Sequence, residues 1–150
     1  MSDTTIERLL ESKGRDVYTI GTTATVFETM QMMTERRAGC LIVCFRDGRI
    51  AGIVSERDCL RRVVLRNLSP RKVAVRAIMT PAKALVTATP DETLDRCMQV
   101  MTEHRIRHLP VLGAGGKLAG LVSIGDVVKH LCSEQGLLIQ NLEQYITGSN

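Results

Sequence analysis

Two stretches of the chain place apolar side chains at every third or fourth position, which is the period of an amphipathic helix. The stretches cover residues 25–36 and 93–104. Their recurring apolar positions are Val26, Met30, Met33, Leu94, Met98 and Met101. Both stretches are therefore predicted to form helices that bury one face.

Each predicted helix is followed by two short apolar runs with turn residues between them, a pattern typical of a β-hairpin. The runs are residues 40–45 with 50–54, and residues 108–112 with 118–122. A further helix is predicted to begin at Ser55 and at Ser123, because each serine has an aspartate three residues later, as in a capping box. A short strand near residues 17–20 or 84–87 opens each half, so the pattern predicts β-α-β-β-α twice.

The two halves are copies of one repeat. Residues 30–37 read MQMMTERR and residues 98–105 read MQVMTEHR, with six identities in eight positions at a spacing of 98 − 30 = 68. Residues 48–58 read GRIAGIVSERD and residues 116–126 read GKLAGLVSIGD at the same spacing. A copy of about 50 residues is too small to bury a sufficient core alone, so the copies are expected to pack on one another.

The repeat divides the chain into five segments. They are an N-terminal helix at 1–13, a first repeat at 14–66, a linker at 67–76, a second repeat at 77–132 and an amphipathic C-terminal helix at 133–150. Asp3 is the expected N-cap of the first helix. The apolar stripe of the C-terminal helix packs either on its own domain or at a dimer interface, and the sequence leaves both open.

The repeated signature G-hydrophobic-V-S-x-x-D, at residues 52–58 and 120–126, together with RIRHLPV at 105–111, resembles a pair of CBS domains, named from cystathionine β-synthase. The resemblance covers roughly residues 14–132. It implies an α/β (α+β) fold in which two β-α-β-β-α repeats pack with pseudo-twofold symmetry between terminal helices. It also implies two clefts that take AMP, ATP or NAD-type dinucleotides, a regulatory role and a homodimer.

The two aspartates of the signature, Asp58 and Asp126, are the main candidate binding residues. A carboxylate there can accept both hydroxyls of a ribose, while Ser55 and Ser123 lie one turn earlier, where they can meet a sugar or phosphate. Ser-x-x-Asp also caps a helix without any ligand, so each motif alone favours the cap. Two copies after matching strands, with the family resemblance, favour the ligand.

The resemblance also implies which other residues line each cleft. For the cleft of Asp58 these are Met79, Thr80, Leu85, Ile106 and Arg107, with Arg57 and His108 as further basic residues against a phosphate. For the cleft of Asp126 they are Lys13, Gly14, Tyr18, Ala38 and Gly39. Gly39 and Cys40 replace Arg107 and His108 there, so phosphate affinity is expected to be weaker or to depend on Lys13 and Arg15. Either the clefts prefer different ligands or only one is filled.

Composition narrows the classes of function. The 150 residues are 44% hydrophobic and 24% charged, as expected for a globular chain, and neither a membrane span nor a signal peptide is predicted, which indicates a cytoplasmic protein. The net charge of +4 permits nucleic-acid binding, but the basic residues are scattered among acidic ones and only two Phe and two Tyr are available for base stacking, so nucleic acid is not an expected partner.

No metal site or catalytic set is predicted. Cys40 and Cys44 lack a second ligand pair, and His104 and His108 lack the glutamate of a helical zinc motif. The five cysteines are expected to be reduced and buried as small hydrophobic residues. We therefore expect a sensor, without catalytic activity or cofactor, that binds an adenine nucleotide and acts on an unidentified protein. The alternative is a structural dimerisation module whose Ser-x-x-Asp motifs only cap helices.

Overall fold

The computed structural model describes residues 3–133 and confirms the mixed α/β class with two repeats. The chain divides into two units, which are described separately below. The first-repeat unit comprises residues 16–86, and the second-repeat unit comprises the described parts of residues 1–15 and 87–150. The segment that precedes the first repeat therefore packs with the second.

In the first-repeat unit, four strands form one sheet in the order β1-β2-β3-β4. The strands are β1 (Thr19–Gly21), β2 (Cys40–Cys44), β3 (Ile50–Ser55) and β4 (Thr80–Pro81). β1 is parallel to β2, whereas β2 with β3 and β3 with β4 are antiparallel. The helices are α2 (Val26–Arg36) and α3 (Glu56–Cys59), and α3 continues as a π-helical turn at Leu60–Val64. Short 3-10 turns lie at Val75–Ala77 and Ala82–Ala84.

The second-repeat unit contains the matching hairpin and the N-terminal helix. Its elements are α1 (Ile6–Lys13), α4 (Leu94–His104), β5 (His108–Leu112), a 3-10 turn at Ala114–Gly116, β6 (Leu118–Ser123) and α5 (residues 124–133). β5 and β6 are antiparallel, with a register shift between Val111 and Leu112. The first hairpin shifts between Val43 and Cys44, so the irregularity recurs at the same repeat position.

The positions of the buried core residues also follow the repeat. Four side chains that are fully buried in the first-repeat unit have fully buried counterparts 68 positions later, in the second-repeat unit. The four pairs are Val26 and Leu94, Leu41 and Leu109, Val43 and Val111, and Val54 and Val122. In both units, the predicted helix therefore packs on the predicted hairpin through residues at equivalent positions of the repeat.

Threonines begin the predicted helices. Thr25 forms a capping box with Glu28, and the Thr93 hydroxyl accepts from the Arg96 amide at 3.2 Å. The N-cap of α1 is Thr5, so the prediction of Asp3 was wrong. Thr5 is fixed there by an antiparallel bridge to Thr93, a contact between distant residues that local sequence does not reveal.

The predicted strand at residues 84–87 is also wrong. Ala84 ends the 3-10 turn Ala82–Ala84, residues 85–87 form no helix or strand, and Ala88 just after them makes a single parallel bridge to Val111. Alanine and lysine have low preference for strands, and the turn follows Pro81 directly. The predicted C-terminal helix, apart from Ser133, lies outside the described residues.

The cysteines only partly match their prediction. Cys40, Cys59 and Cys97 are buried and Cys44 is half-buried, but Cys132 is exposed on α5. All five lie within the described residues, and none forms a disulfide bond. The prediction of burial was therefore wrong for Cys132, which lies near the end of the described helix.

Candidate functional site

The first Ser-x-x-Asp motif joins β3 to α3. Asp58 Oδ2 accepts hydrogen bonds from the Ser55 amide at 2.9 Å and from the Ser55 hydroxyl at 3.0 Å, and Ser55 Oγ accepts from the Asp58 amide at 3.2 Å. Both residues are half-buried. The capping box thus holds the carboxylate in one orientation at the start of the helix while leaving it partly open to solvent.

The second motif has the same geometry where β6 meets α5. Asp126 Oδ2 accepts from the Ser123 amide at 2.9 Å, and Ser123 Oγ accepts from the Asp126 amide at 3.0 Å. Both residues are again half-buried. The sequence repeat is therefore also a repeat of carboxylate placement.

A backbone carbonyl from the start of the hairpin supports each motif. The Glu56 amide donates to the Gly39 carbonyl at 3.0 Å, and the Ile124 amide donates to the Arg107 carbonyl at 2.8 Å. Gly39 and Arg107 are equivalent residues of the repeat, since 107 − 39 = 68. The structure thus places the backbone of Gly39 beside the Asp58 motif and that of Arg107 beside the Asp126 motif, each within its own unit.

Two predicted residues of the Asp58 site lie beside β3, with Thr80 on β4 and Met79 directly before it. Thr80 pairs with Ile53, and a Cβ atom built on Gly52 would overlap the Thr80 carbonyl oxygen and lie 2.9 Å from Met79 Sδ. Only a glycine at position 52 therefore lets this segment approach the strand that ends at Ser55. Leu85 is half-buried and ends the 3-10 turn that follows.

Lys13 lies at the Asp126 motif. It is in the last turn of α1, and its ammonium donates to Asp126 Oδ2 at 2.6 Å and to the Leu121 carbonyl at 2.7 Å. The side chains of Lys13 and Asp126 are 30% and 27% exposed, so the ion pair is partly shielded from water. Gly14 ends the helix directly after Lys13 with φ of 101°, which an L side chain rarely adopts.

Arg15, the other basic residue considered for this site, pairs elsewhere. Its guanidinium donates to both carboxylate oxygens of Glu7, which lies eight residues earlier in the first turn of α1. Among the described residues, the structure therefore brings Lys13, and not Arg15, to Asp126.

The remaining predicted residues lie on α3 or close to the starts of β1, β2 and β5. Tyr18 is 41% exposed with its ring beneath the Arg36 guanidinium, and Ala38 is half-buried before β2. Arg57 and Arg107 are exposed, whereas Ile106 and His108 are half-buried at the start of β5. The assignments of Ile106, Arg107 and His108 to the Asp58 site, and of Tyr18, Ala38 and Gly39 to the Asp126 site, stay predictions.

The pKa of Asp126 lies below its ordinary value of 3.8. Partial burial acts to raise this pKa, but the hydrogen bond and charge of Lys13, together with the hydrogen bonds of Ser123, outweigh it. The carboxylate is therefore ionised at neutral pH. It is available as a hydrogen-bond acceptor, which is what a ribose diol requires.

This lowered pKa predicts a pH-dependent contribution to stability. A carboxyl group with a depressed folded-state pKa stabilises the fold above its unfolded value, and this stabilisation disappears as the pH falls through the folded value. We expect Asp126→Asn to lower the free energy of unfolding by about 1 kcal/mol at pH 7, and we expect this difference to shrink as the pH falls toward and through the folded-state pKa of Asp126. Urea denaturation of both proteins from pH 7 to pH 3 measures this, and a constant difference over that range would contradict it.

The thiol next to Asp58 is not a nucleophile at neutral pH. Burial, reinforced by the charges of Asp58 and Glu56, raises the pKa of Cys59 to about 11. A protonated thiol is a poor nucleophile and a poor metal ligand. Cys59 therefore acts as a small core residue beneath the motif.

Two features of the site were missed by the sequence analysis. Lys13 was assigned to the Asp126 site, but its direct ion pair with the aspartate was not predicted, because 113 residues separate the two. Arg62, which donates to the Ile78 carbonyl at 3.2 Å and so fixes the segment before Met79, was not considered at all. No local pattern signals either contact.

Residues 3–133 contain neither a metal-binding cluster nor a membrane-spanning helix. No group of three or more His, Cys, Asp or Glu side chains in this range could hold a metal ion. No helix in the same range is long and apolar enough to cross a membrane.

Comparison with known proteins gives consistent matches. The family model described as CBS domain matches residues 13–65 and 75–133. The CBS domain-containing protein CBSX3, mitochondrial, of Arabidopsis thaliana is 38% identical over 152 residues, which cover 97% of this chain and 73% of that protein. CBS-domain proteins are often regulatory modules that bind adenosine compounds.

Solved structures match over most of the chain. A putative signal-transduction protein with CBS domains from Burkholderia ambifaria is 44% identical with a TM-score of 0.82, covering 88% of this chain and 96% of that one. A hexameric CBS-CP12 protein from bloom-forming cyanobacteria is 26% identical with a TM-score of 0.73, covering 85% of this chain and 68% of that one.

Proposed function

Because the chain belongs to the CBS-domain family, we propose that it is a regulatory module that binds adenosine-containing ligands through its two Ser-x-x-Asp motifs. Asp58 and Asp126 accept the ribose hydroxyls, and Ser55 and Ser123 orient them. The ligand is AMP, ATP or an NAD-type dinucleotide. Occupancy changes the contact of the module with a regulated protein, which makes the chain a sensor and not an enzyme.

One observation carries this proposal, namely the equivalent placement of two half-buried carboxylates. Each is held by a capping serine at a helix start, directly after a strand of the repeat. A carboxylate fixed in this way loses little freedom when it accepts a diol, so more of the interaction contributes to affinity. A Ser-x-x-Asp motif that only caps a helix does not require a carboxylate that stays partly open to solvent in both repeats.

The competing function is a structural dimerisation module. It is favoured by the capping boxes, which are complete without a ligand, and by exposed apolar residues after α3. These residues are Leu60, Val64, Leu65 and Leu68, which are 47% to 72% exposed. In this alternative the surface pairs two copies of the chain and the aspartates only stabilise helices.

Thermal denaturation separates the two functions. A ligand that binds only the folded state at 100 times its Kd adds about 2.7 kcal/mol of stability, which raises Tm by roughly 5–10 °C for a chain of this size. We expect such a rise with AMP, ATP or NAD at millimolar concentration. If Tm does not move with any of the three, the structural module is the better account.

The further assignments belong to the same proposal. The two functional halves are residues 14–66 and 77–132, joined by the linker at 67–76, and the chain acts as a homodimer. We place it in the cytoplasm, although the name of the plant relative places that protein in mitochondria. Fractionation of cells with a specific antibody, and sedimentation of the purified protein, test location and oligomeric state.

A further inference from the structure

The two Ser-x-x-Asp motifs differ in one neighbour, although their own geometry is the same. At the first motif, the strand residue Ile53 pairs with Thr80, a neutral side chain. At the second motif, the equivalent strand residue is Leu121, since 121 − 53 = 68, and its carbonyl accepts from the ammonium of Lys13. The strand before the motif is thus paired with the backbone of Thr80 in one unit, whereas in the other its carbonyl accepts from the ammonium of Lys13.

We infer that Lys13 determines the ligand specificity of the Asp126 motif, so that this motif takes a ribonucleotide with a phosphate and discriminates against an uncharged nucleoside. This inference rests on the proposed function, because it assumes that Asp126 accepts a ribose. Among the described residues, Asp58 has no such ion pair with a lysine.

Asp126 already has hydrogen-bond partners before a ligand binds. Its Oδ2 atom already accepts from Lys13 at 2.6 Å and from the Ser123 amide at 2.9 Å. A ribose diol that places one hydroxyl on each carboxylate oxygen competes with the ammonium for Oδ2. The ammonium, which is partly shielded from water, then loses part of its ion pair.

A nucleoside offers no replacement partner for that ammonium. A nucleotide does, because its phosphate is an anion that a lysine can bind as a point charge. Lys13 is on the last turn of α1 and is followed by Gly14, so its long side chain can turn from Asp126 to a phosphate while the helix stays in place. The Lys13 ammonium thus exchanges one anionic partner, the Asp126 carboxylate, for another, the phosphate of the ligand.

Helix α1, which carries Lys13, is held firmly within the second-repeat unit. The helix is fixed to the second-repeat unit by hydrogen bonds from the Ile6 amide to the Glu92 carbonyl and from the Leu94 amide to the Thr4 carbonyl. Leu10 is fully buried in contact distance of Gly120, on β6. The contacts that fix α1 therefore also hold Lys13 beside Asp126.

The test measures the ratio of adenosine Kd to AMP Kd by isothermal titration calorimetry in two backgrounds. In Asp58→Ala, where the Asp126 motif remains, we expect Lys13→Met to lower this ratio by about 10- to 100-fold. In Asp126→Ala, where the Asp58 motif remains, we expect Lys13→Met to leave the ratio unchanged. Lys13→Arg in the Asp58→Ala background keeps a cation and is expected to retain the discrimination.

Arg15→Met is the matched control, since Arg15 is also a basic residue at the end of α1 but pairs with Glu7. It is expected to leave the ratio unchanged in both backgrounds, with folding of every variant checked by circular dichroism. If Asp58→Ala binds AMP and Lys13→Met does not change the ratio, the inference about Lys13 is wrong while the proposed function stands. If wild-type protein binds neither AMP nor adenosine, the proposed function itself is wrong.

Discussion

Replacing Asp58 with alanine is expected to weaken AMP binding at the first motif by about 10- to 100-fold, the effect of losing charge-assisted hydrogen bonds to two hydroxyls. The carboxylate is half-buried and held by Ser55, so its orientation is fixed before a ligand binds. Calorimetric titration in an Asp126→Ala background isolates this motif.

Two variants separate ligand binding from helix capping. Asp58→Asn keeps an oxygen that can accept from the Ser55 amide but removes the charge, so it is expected to lose affinity with little loss of stability. Asp47→Ala removes an exposed carboxylate that pairs with Arg49 on the β2-β3 turn, and it is expected to bind AMP as the wild type does. Equal affinity of Asp58→Asn and Asp47→Ala would refute the assignment of Asp58.

Replacing Gly52 with alanine is expected to destabilise the first-repeat unit by about 3 kcal/mol, because the added methyl group overlaps backbone. The methyl would meet the Thr80 carbonyl oxygen, which belongs to the strand paired with β3, as well as Met79 Sδ at 2.9 Å. The strand cannot move away without breaking its pairing. We therefore also expect weaker AMP binding at the Asp58 motif, since Thr80 is displaced.

Gly120→Ala provides the matched comparison at the equivalent position of the second repeat, since 120 − 52 = 68. There the methyl would meet the end of the Leu10 side chain, at 2.8 Å from Cδ2 and 3.0 Å from Cδ1. A leucine side chain can change rotamer, so the expected loss is smaller, about 1 kcal/mol. Urea denaturation of both variants tests the order, and a larger loss for Gly120→Ala would contradict it.

The repeat made much of the fold predictable. A spacing of 68 residues aligned the helices and hairpins of both halves, and the fully buried pairs Val26 and Leu94, and Val54 and Val122, follow the same spacing. Helix starts at Ser55 and Ser123 were also correct, because capping boxes depend on residues only three positions apart. Periodicity and caps are local signals, and these are the signals that a single sequence carries.

The errors arose where distant contacts decide local structure. Thr5 replaces Asp3 as the N-cap of α1 because it forms a bridge to Thr93. Near the start of the second repeat, the strand predicted at residues 84–87 is absent and a 3-10 turn at Ala82–Ala84 follows Pro81. The contact of Lys13 with Asp126 likewise joins opposite ends of the chain, so sequence named both residues without revealing that they form an ion pair.

The asymmetry between the motifs gives the module a means to distinguish ligands. Of the two motif aspartates, only Asp126 pairs with a lysine among the described residues. If Lys13 selects for phosphate there, the two motifs respond to different ligands or to different concentrations of one ligand. A chain with two such motifs can report a ratio of nucleotides, because each ligand stabilises the state that binds it better.

Equilibrium dialysis with radiolabelled AMP tests the central claim most directly, by comparing the wild type with the double variant Asp58→Ala/Asp126→Ala. The account predicts saturable AMP binding by the wild type and none by the double variant at the same concentration, with circular dichroism showing that both are folded. Equal saturable binding by both proteins would contradict the claim that these two carboxylates hold the ligand.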